Sequence, residues 1–238
     1  RRSFIKPAYD LARKVMPKIS NTEAAALKAG TVGFDGDLFN GNPTLDALKS
    51  TYKGVNLSPE ERSFMDNEVE ALCSMIDDYE VVRDRDLNED VWNYMKETKM
   101  FGMIIPKEYG GLGFSAHGHS QVVTKIASKS GTAAVSVMVP NSLGPGELLM
   151  RYGTTEQRDY FLPQLATGDM IPCFGLTGPS SGSDAASMRD EGVVCMNNGV
   201  LGLNATFKKR YITLAPVAGV VGLAINLKDP NGLLKGVG

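Results

Sequence analysis

Apolar residues recur at steps of three and four between about residue 57 and residue 168, and the spacing becomes strand-like from Ile171 onward. The first pattern belongs to helices that bury one face, the second to half-buried strands. Met65, Val69, Leu72, Ile76 and Tyr79 would share one face of a helix. Ser58-Pro59-Glu60-Glu61 supplies its start, with a hydroxyl N-cap, a proline at the first helical position and a Glu at the third. Val91, Trp92 and Met95 mark a second helix, and Val122, Val123, Ile126 and Ala127 a third. Thr132 to Val139 is small and apolar, which predicts a buried helix. Thr154-Thr155-Glu156-Gln157 is another capping box, opening a helix that Pro163 should end or kink.

The flanks of this helical stretch differ from it. Residues 1 to about 55 carry weak periodicity broken by Pro7, Pro17 and Pro43. Asn21 to Ala29 should be helical, because Glu23-Ala-Ala-Ala-Leu27 has high helix propensity and Gly30 can close its end. Thr31 to Pro43 reads as turns and short extended pieces. Downstream, Gly192 to Met196 and Val200 to Leu203 flank Asn197-Asn198-Gly199, which predicts a β-hairpin. Tyr211-Ile212-Thr213 and Val217 to Leu227 read as further strands. The expected fold class is α+β: an all-helical domain first, then an antiparallel β-portion. The boundaries expected are an N-terminal extension at 1–56 packed on the rest of the chain, a helical domain at 57–169 and a β-region at 170–238.

Composition narrows the function classes. The chain has 238 residues, 42% hydrophobic and 22% charged, with 25 Lys+Arg against 27 Asp+Glu and a net charge of −2. That balance gives no electrostatic reason to expect nucleic acid. The longest nearly uncharged run, Leu214 to Ile225, is far shorter than the roughly 20 residues that span a bilayer. Cys73, Cys173 and Cys195 are odd in number and widely spaced, which argues against a disulfide framework and for a reducing compartment. The chain opens Arg1-Arg2-Ser3 without an apolar leader and stops at Lys235-Gly236-Val237-Gly238, so it is expected to be a piece of a longer protein.

Several candidate motifs carry little. His117 and His119 lack a third ligand at metal spacing and read as two partly exposed residues at a helix start. Gly111-Leu112-Gly113-Phe114-Ser115-Ala116 matches a relaxed dinucleotide fingerprint, but Pro106 and Lys107-Glu108 interrupt the path from any preceding strand and no clear βαβ unit follows, so it reads as a turn. Lys208-Lys209-Arg210 reads as a solvated edge ahead of a phosphate patch. Ser180, Ser181 and Ser183 have no histidine nearby to serve as a base. More informative is Pro172-Cys-Phe-Gly-Leu-Thr177-Gly-Pro-Ser-Ser-Gly182-Ser183-Asp184. A strand-like run there ends in a hydroxyl residue and a Gly/Pro/Ser loop. Its backbone N–H groups and hydroxyls suit the carbonyls of a flat heteroaromatic ring or the oxygens of a phosphate. Chemistry alone leaves a binding loop and a plain surface turn equally open.

That stretch resembles the first signature of the acyl-coenzyme A dehydrogenase family. Three other segments extend the resemblance: Phe101 to Phe114, Tyr152 to Gly168, and Lys209-Arg-Tyr211-Ile-Thr213. Gly30 to Phe39 and Val139 to Pro145 resemble the bacterial long-chain, fatty-acid-degrading type. The resemblance implies an N-terminal helical domain and part of a middle β-domain, with the family's C-terminal helical domain absent. It implies FAD as cofactor, a long-chain acyl-CoA substrate dehydrogenated at its α,β carbons in β-oxidation, electron-transferring flavoprotein as acceptor, and a homo-oligomer at full length. It places the protein in the bacterial cytoplasm or peripheral to the inner membrane.

By position, the resemblance assigns Phe174, Leu176, Thr177, Gly182 and Ser183 to the flavin ring, with Ser183 also touching substrate, and Tyr211, Ile212 and Thr213 to a second flavin segment. Gly178 and Ser181 depart from the family's usual residues. No catalytic base is assigned: the family's glutamate is expected beyond Gly238, and nothing matches Asp184, Asp190 or Glu191 to that role. The chain alone should then be an inactive half-site. The alternatives are a flavin-dependent oxidase or monooxygenase of the same superfamily, and a non-catalytic binding module.

Overall fold

The computed structural model describes residues 2–15, 21–30, 33–51, 54, 56–142 and 144–234. Its internal contacts divide the chain into two units, Arg1–Gly54 and Val55–Gly238. The first contains α1 (Arg2–Val15), α2 (Asn21–Ala29), α3 (Phe34–Phe39) and α4 (Leu45–Thr51). Of these, α2 is the helix expected, and the Gly30 N–H closes it on the Ala26 carbonyl at 2.8 Å. The turns and extended pieces expected for Thr31 to Pro43 give way to α3, where Asp35 and Asp37 in the first turn favour the positive end of the helix dipole. Thr31 and Val32 of the Gly30–Phe39 motif lie outside the described residues. The Thr44 hydroxyl caps α4 by accepting from the Ala47 N–H at 3.1 Å.

The second unit begins with α5 (Pro59–Asp66), α6 (Glu68–Met75), α7 (Asp78–Asp84) and α8 (Glu89–Glu97). The box at Ser58 forms as expected: Ser58 Oγ accepts from the Glu61 N–H at 3.1 Å and the Glu61 carboxylate accepts from the Ser58 N–H at 2.8 Å. The long helix implied by Met65 to Tyr79 is broken in two places. Met65, Val69, Leu72 and Ile76 are buried, but Tyr79 is exposed. Ile76 leaves the helical region and Asp77 caps a new helix through the Tyr79 and Glu80 N–H groups, so the phase of the first face is lost.

Next come α9 (Ala116–Ala127), α10 (Gly131–Met138), α11 (Pro145–Tyr152) and α12 (Thr155–Thr167). Leu143, within the Val139–Pro145 motif, lies outside the described residues. Pro163 does not end α12; the helix continues four residues past it. The bond lost to the proline nitrogen is offset by burial of Leu162, Leu165 and Ala166 in a small cluster with Ile105. A larger core joins Val69, Leu72, Val91, Met95, Met100, Phe101, Val122, Ile126 and Val137.

Glu61 and Asn141 are polar members of this interior. The Glu61 carboxylate also accepts from the Ser115 N–H at 2.8 Å and its hydroxyl at 2.6 Å, which ties the start of α5 to the start of α9. Gly118 makes room for it: a Cβ there would lie 2.3 Å from Glu61 Oε1. Asn141 donates to the Met100 carbonyl at 2.6 Å and the Val137 carbonyl at 2.8 Å, and accepts from the Ile104 N–H at 3.1 Å.

The β-portion follows, as the α+β order predicts. It comprises β1 (Pro172–Gly175), β2 (Glu191–Asn197), β3 (Val200–Thr206), β4 (Val220–Leu223) and β5 (Asn226–Lys228). β2 and β3 form the expected antiparallel hairpin, with Glu191 opposite Thr206 and Asn197 opposite Val200. Asn198 and Gly199 take φ of 52° and 80°, the left-handed pair that a two-residue hairpin turn needs. The other ladders are parallel: β1 with β4, and β2 with β5. The strand expected at Tyr211–Thr213 is absent, because Tyr211 and Leu214 turn left-handed at φ of 61° and 64°. The single strand expected over Val217 to Leu227 is split. Ala224 N–H still bonds the Gly175 carbonyl at 3.1 Å, then Asn226 N–H bonds the Asp190 carbonyl at 2.9 Å, so the chain changes sheets between them.

Candidate functional site

β1 delivers the candidate loop. Ile171 and Cys173 bury it against the helical core, and β4 covers one edge. Phe174 packs over Gly222, where a Cβ would come within 2.9 Å of its ring. Beyond Gly175 the chain leaves the ladder. Gly178 and Ser181 exchange N–H···O bonds of 3.0 and 3.4 Å around Pro179-Ser180, a tight turn that buries Ser181. Gly182 and Ser183 come after it on the surface.

The second segment docks directly on this loop. The Arg210 N–H donates to the Thr177 carbonyl at 3.1 Å. Lys209 Nζ donates to the Leu176 carbonyl at 3.0 Å and to Asp190 Oδ2 at 2.7 Å. The Lys208 N–H donates to Asp190 Oδ1 at 2.7 Å. The Lys209 and Asp190 side chains are only 7% and 10% exposed, so this is a buried ion pair. The hydrogen bond from Lys209, then that from the Lys208 N–H, hold the Asp190 carboxyl below the usual carboxylate range. The solvated edge expected at Lys208-Lys209-Arg210 is therefore half right: Lys208 and Arg210 are exposed, while Lys209 is a buried clamp. Its aliphatic stem and three donors are what a site needs to satisfy a carboxylate and a carbonyl at once.

The structure thus brings Leu176 and Thr177 beside Lys209, Arg210 and Tyr211. Tyr211 is 78% exposed, and the Arg210 guanidinium lies 4.6 Å from its ring centroid. Ile212 is half-buried and Thr213 exposed. Among the described residues, no hydrogen bond joins Gly182 or Ser183 to the second segment. The N–H groups of Thr177, Gly182, Ser183, Ile212 and Thr213 have no protein acceptor among the described residues. Open donors beside an exposed aromatic ring fit a flat ring system with carbonyl acceptors.

The pairing of Asp190 with Lys209 escaped the sequence reading, which named both residues separately, although a signal existed. A hairpin closed by Asn198-Gly199 sets residue 190 opposite residue 207, so the charged pair sits at its open end. Gly178 belongs to the same corner: a Cβ there would lie 3.2 Å from the Lys208 carbonyl and 3.4 Å from Asp190 Oδ2. The Lys208 carbonyl and Ser181 Oγ crowd a side chain at 178 most, with the carboxylate just beyond them. Of the neighbouring carboxylates, Asp190 is held by Lys209 and Glu191 by Lys228.

The other motifs keep their plain readings. Gly111–Ser115 is an irregular loop that comes after a 3-10 turn at Lys107–Tyr109 rather than a strand, and it leads into α9 at Ala116. Gly111 is obligatory there, since a Cβ would lie 2.1 Å from the Ile105 carbonyl oxygen. His117 and His119 are half-buried in the first turn of α9, and burial pushes the His119 pKa down. Among the described residues no three His, Cys, Asp or Glu side chains gather as a metal site.

Comparison with known proteins locates this architecture. The profile of the acyl-CoA dehydrogenase N-terminal domain matches residues 56–169. The human mitochondrial very long-chain specific acyl-CoA dehydrogenase is 30% identical over 181 residues, covering 74% of this chain and 27% of that protein. The 3-(aryl)acrylate reductase of Clostridium sporogenes is 30% identical over 161 residues, 66% of this chain and 39% of that one. The glutaryl-CoA dehydrogenase of Mycobacterium smegmatis, solved in complex with FADH2, superposes with a TM-score of 0.61 at 26% identity, over 72% of this chain and 44% of that one. Butyryl-CoA dehydrogenase from Megasphaera elsdenii shares the fold at a TM-score of 0.60 and 20% identity, over 71% of this chain and 45% of that one. The chain spans less than half the length of each of these relatives.

Proposed function

This chain belongs to the acyl-CoA dehydrogenase family through residues 56–169, and on that premise we propose that it forms the helical and middle portion of a FAD-dependent dehydrogenase of long-chain acyl-CoA thioesters in fatty-acid β-oxidation. The observation that carries the reading is the docking of Lys209–Tyr211 on Leu176–Thr177, which gathers two separated segments into one donor-lined surface. The residues present fit FAD. Thr177, Gly182 and Ser183 would offer N–H and hydroxyl donors to the ring, and Tyr211, Ile212 and Thr213 would flank it. FAD, when bound, supplies the hydride acceptor for the β-hydrogen.

The chain's own residues bind and orient. Thr177 presents its hydroxyl where the Arg210 N–H fixes its carbonyl, so its backbone cannot rotate away. Ser183, exposed after the tight turn, stands at the entrance proposed for the thioester. Removal of the α-proton requires a base and a polarised carbonyl; no carboxylate of this surface is assigned to that role. The long-chain substrate is supported by the Val139–Pro145 resemblance and by the very long-chain relative. Electron-transferring flavoprotein is proposed as acceptor, in keeping with a relative named as a subunit of a caffeyl-CoA reductase–Etf complex. A homo-oligomer is proposed for the full-length enzyme.

The test is the visible absorption of the purified chain after incubation with FAD and removal of free flavin. A retained, perturbed flavin band that is lost in Tyr211→Ala and weakened in Thr177→Val supports the surface as the site. A chain that retains no flavin, or a band indifferent to both substitutions, counts against it.

A further inference from the structure

We propose that a cavity between the start of α9 and α11 binds a small monocarboxylate with a short apolar body. The cavity encloses about 450 Å³, within the range of ordinary small-molecule sites. Ile104 and Phe114 give it an apolar wall, and Ser142, His119, Glu147 and Arg151 a polar one. Bonds already described fix these walls. The Glu61–Ser115 network sets the first turn of α9, where the His119 N–H donates to the Ser115 carbonyl at 2.9 Å. Asn141, also on the lining, holds the Ile104 N–H at 3.1 Å. A cavity pinned at both segments is preformed, so a ligand entering it orders little of the chain.

The donors select the ligand. Arg151 donates through Nε to Glu147 Oε1 at 2.6 Å, one turn earlier on α11. Among the described residues that is its only hydrogen bond, so both terminal amino groups are free. A guanidinium presents those two groups as a planar pair that matches the two oxygens of a carboxylate. Glu147 already places one negative charge beside Arg151, which disfavours a dianion; an amine would face the Arg151 charge. His119 Nε2 is shut off from solvent and has no hydrogen-bond partner among the described residues. A polar atom buried in this way is costly. Rotation of the ring about its Cβ–Cγ bond would turn a nitrogen towards a ligand oxygen. The Ile104 and Phe114 side chains offer nothing polar, so the rest of the ligand must be apolar. None of these residues belongs to the proposed flavin surface, and the inference is independent of that reading.

Hexanoate is titrated into the isotope-labelled full chain, and the backbone amide signals are followed by NMR. Saturable shifts are expected at Ile104, His119, Ser142 and Glu147, with none from hexylamine and only weak ones from hexanol. Arg151→Gln should weaken hexanoate binding by at least about tenfold. His119→Gln, which keeps a donor, should bind more tightly than His119→Leu. Lys129→Gln removes the same charge beyond the far end of α9 and should leave binding unchanged. The dispersion of each variant's spectrum separates lost binding from lost folding. An absence of saturable shifts, an equal response to hexylamine, or binding that survives Arg151→Gln overturns the proposal. So do shifts centred on Thr177 and Tyr211, because the carboxylate then sits on the flavin surface instead.

Discussion

At the scale of the residue, a buried carboxylate and a buried ion pair organise the molecule, and each is testable. Burial pushes the Glu61 carboxyl up, but hydrogen bonds from the Ser115 hydroxyl and from the Ser58 and Ser115 N–H groups outweigh it and leave a pKa of about 2. A carboxyl whose folded pKa is depressed contributes its stability above the unfolded value and loses it as pH falls through the folded one. Glu61→Gln should therefore cost on the order of 2–3 kcal/mol at neutral pH. The difference from wild type should shrink as pH falls from about 4.5 towards about 2; urea titrations across that range read it directly. An equal deficit at every pH would contradict the assignment. The Lys209–Asp190 pair makes a different prediction. Lys209→Met strands Asp190 and frees the Leu176 carbonyl, so the Arg210 amide should exchange faster with solvent and flavin affinity should fall. Lys209→Arg should recover part of both, which separates the charge from the mere volume of the side chain.

At the scale of the element, boundaries follow caps and phase more closely than propensity. The boxes at Ser58 and Thr154 open α5 and α12 where the sequence places them, because both partners of each box are local. Pro163 and Tyr79 show the limit of local reading. The Leu162 and Leu165 contacts that carry α12 past its proline come from the distant residue Ile105, and the cap at Asp77 resets the phase ahead of Tyr79. The β2–β3 hairpin depends on its left-handed turn. Gly199→Val, at φ of 80°, should destabilise the hairpin by roughly 1–2 kcal/mol and lower the melting temperature, whereas Asn198→Gly should be nearly neutral. A Gly199→Val variant that melts with wild type would mean that the turn is not the register-setting feature.

At the scale of the whole molecule, the two apolar clusters of the second unit meet near Asn141. Its amide bonds the Met100 and Val137 carbonyls of the larger cluster's segments, and its oxygen takes the Ile104 N–H next to Ile105 of the smaller one. Asn141→Leu should leave these three backbone groups buried without partners, at a cost of about 2–4 kcal/mol, and should broaden or split the unfolding transition of the second unit. A sharp, unshifted transition would show that the clusters fold as one without it. The sequence by itself determined the α+β order, the capped helix starts and the hairpin with its turn, since each rests on neighbours within a few residues. It also held the family resemblance in separated motifs. Only the tertiary structure decided that Lys209 is buried rather than solvated, that Tyr211 is a left-handed corner rather than a strand, that β4 and β5 serve different sheets, and that Glu61 caps two helices. Three of these depend on a partner far along the chain: Asp190 across the hairpin for Lys209, Gly175 in β1 for β4, and Ser115 beyond α8 for Glu61. Pairing across such distances is set by packing and hydrogen-bond satisfaction, which no local pattern encodes.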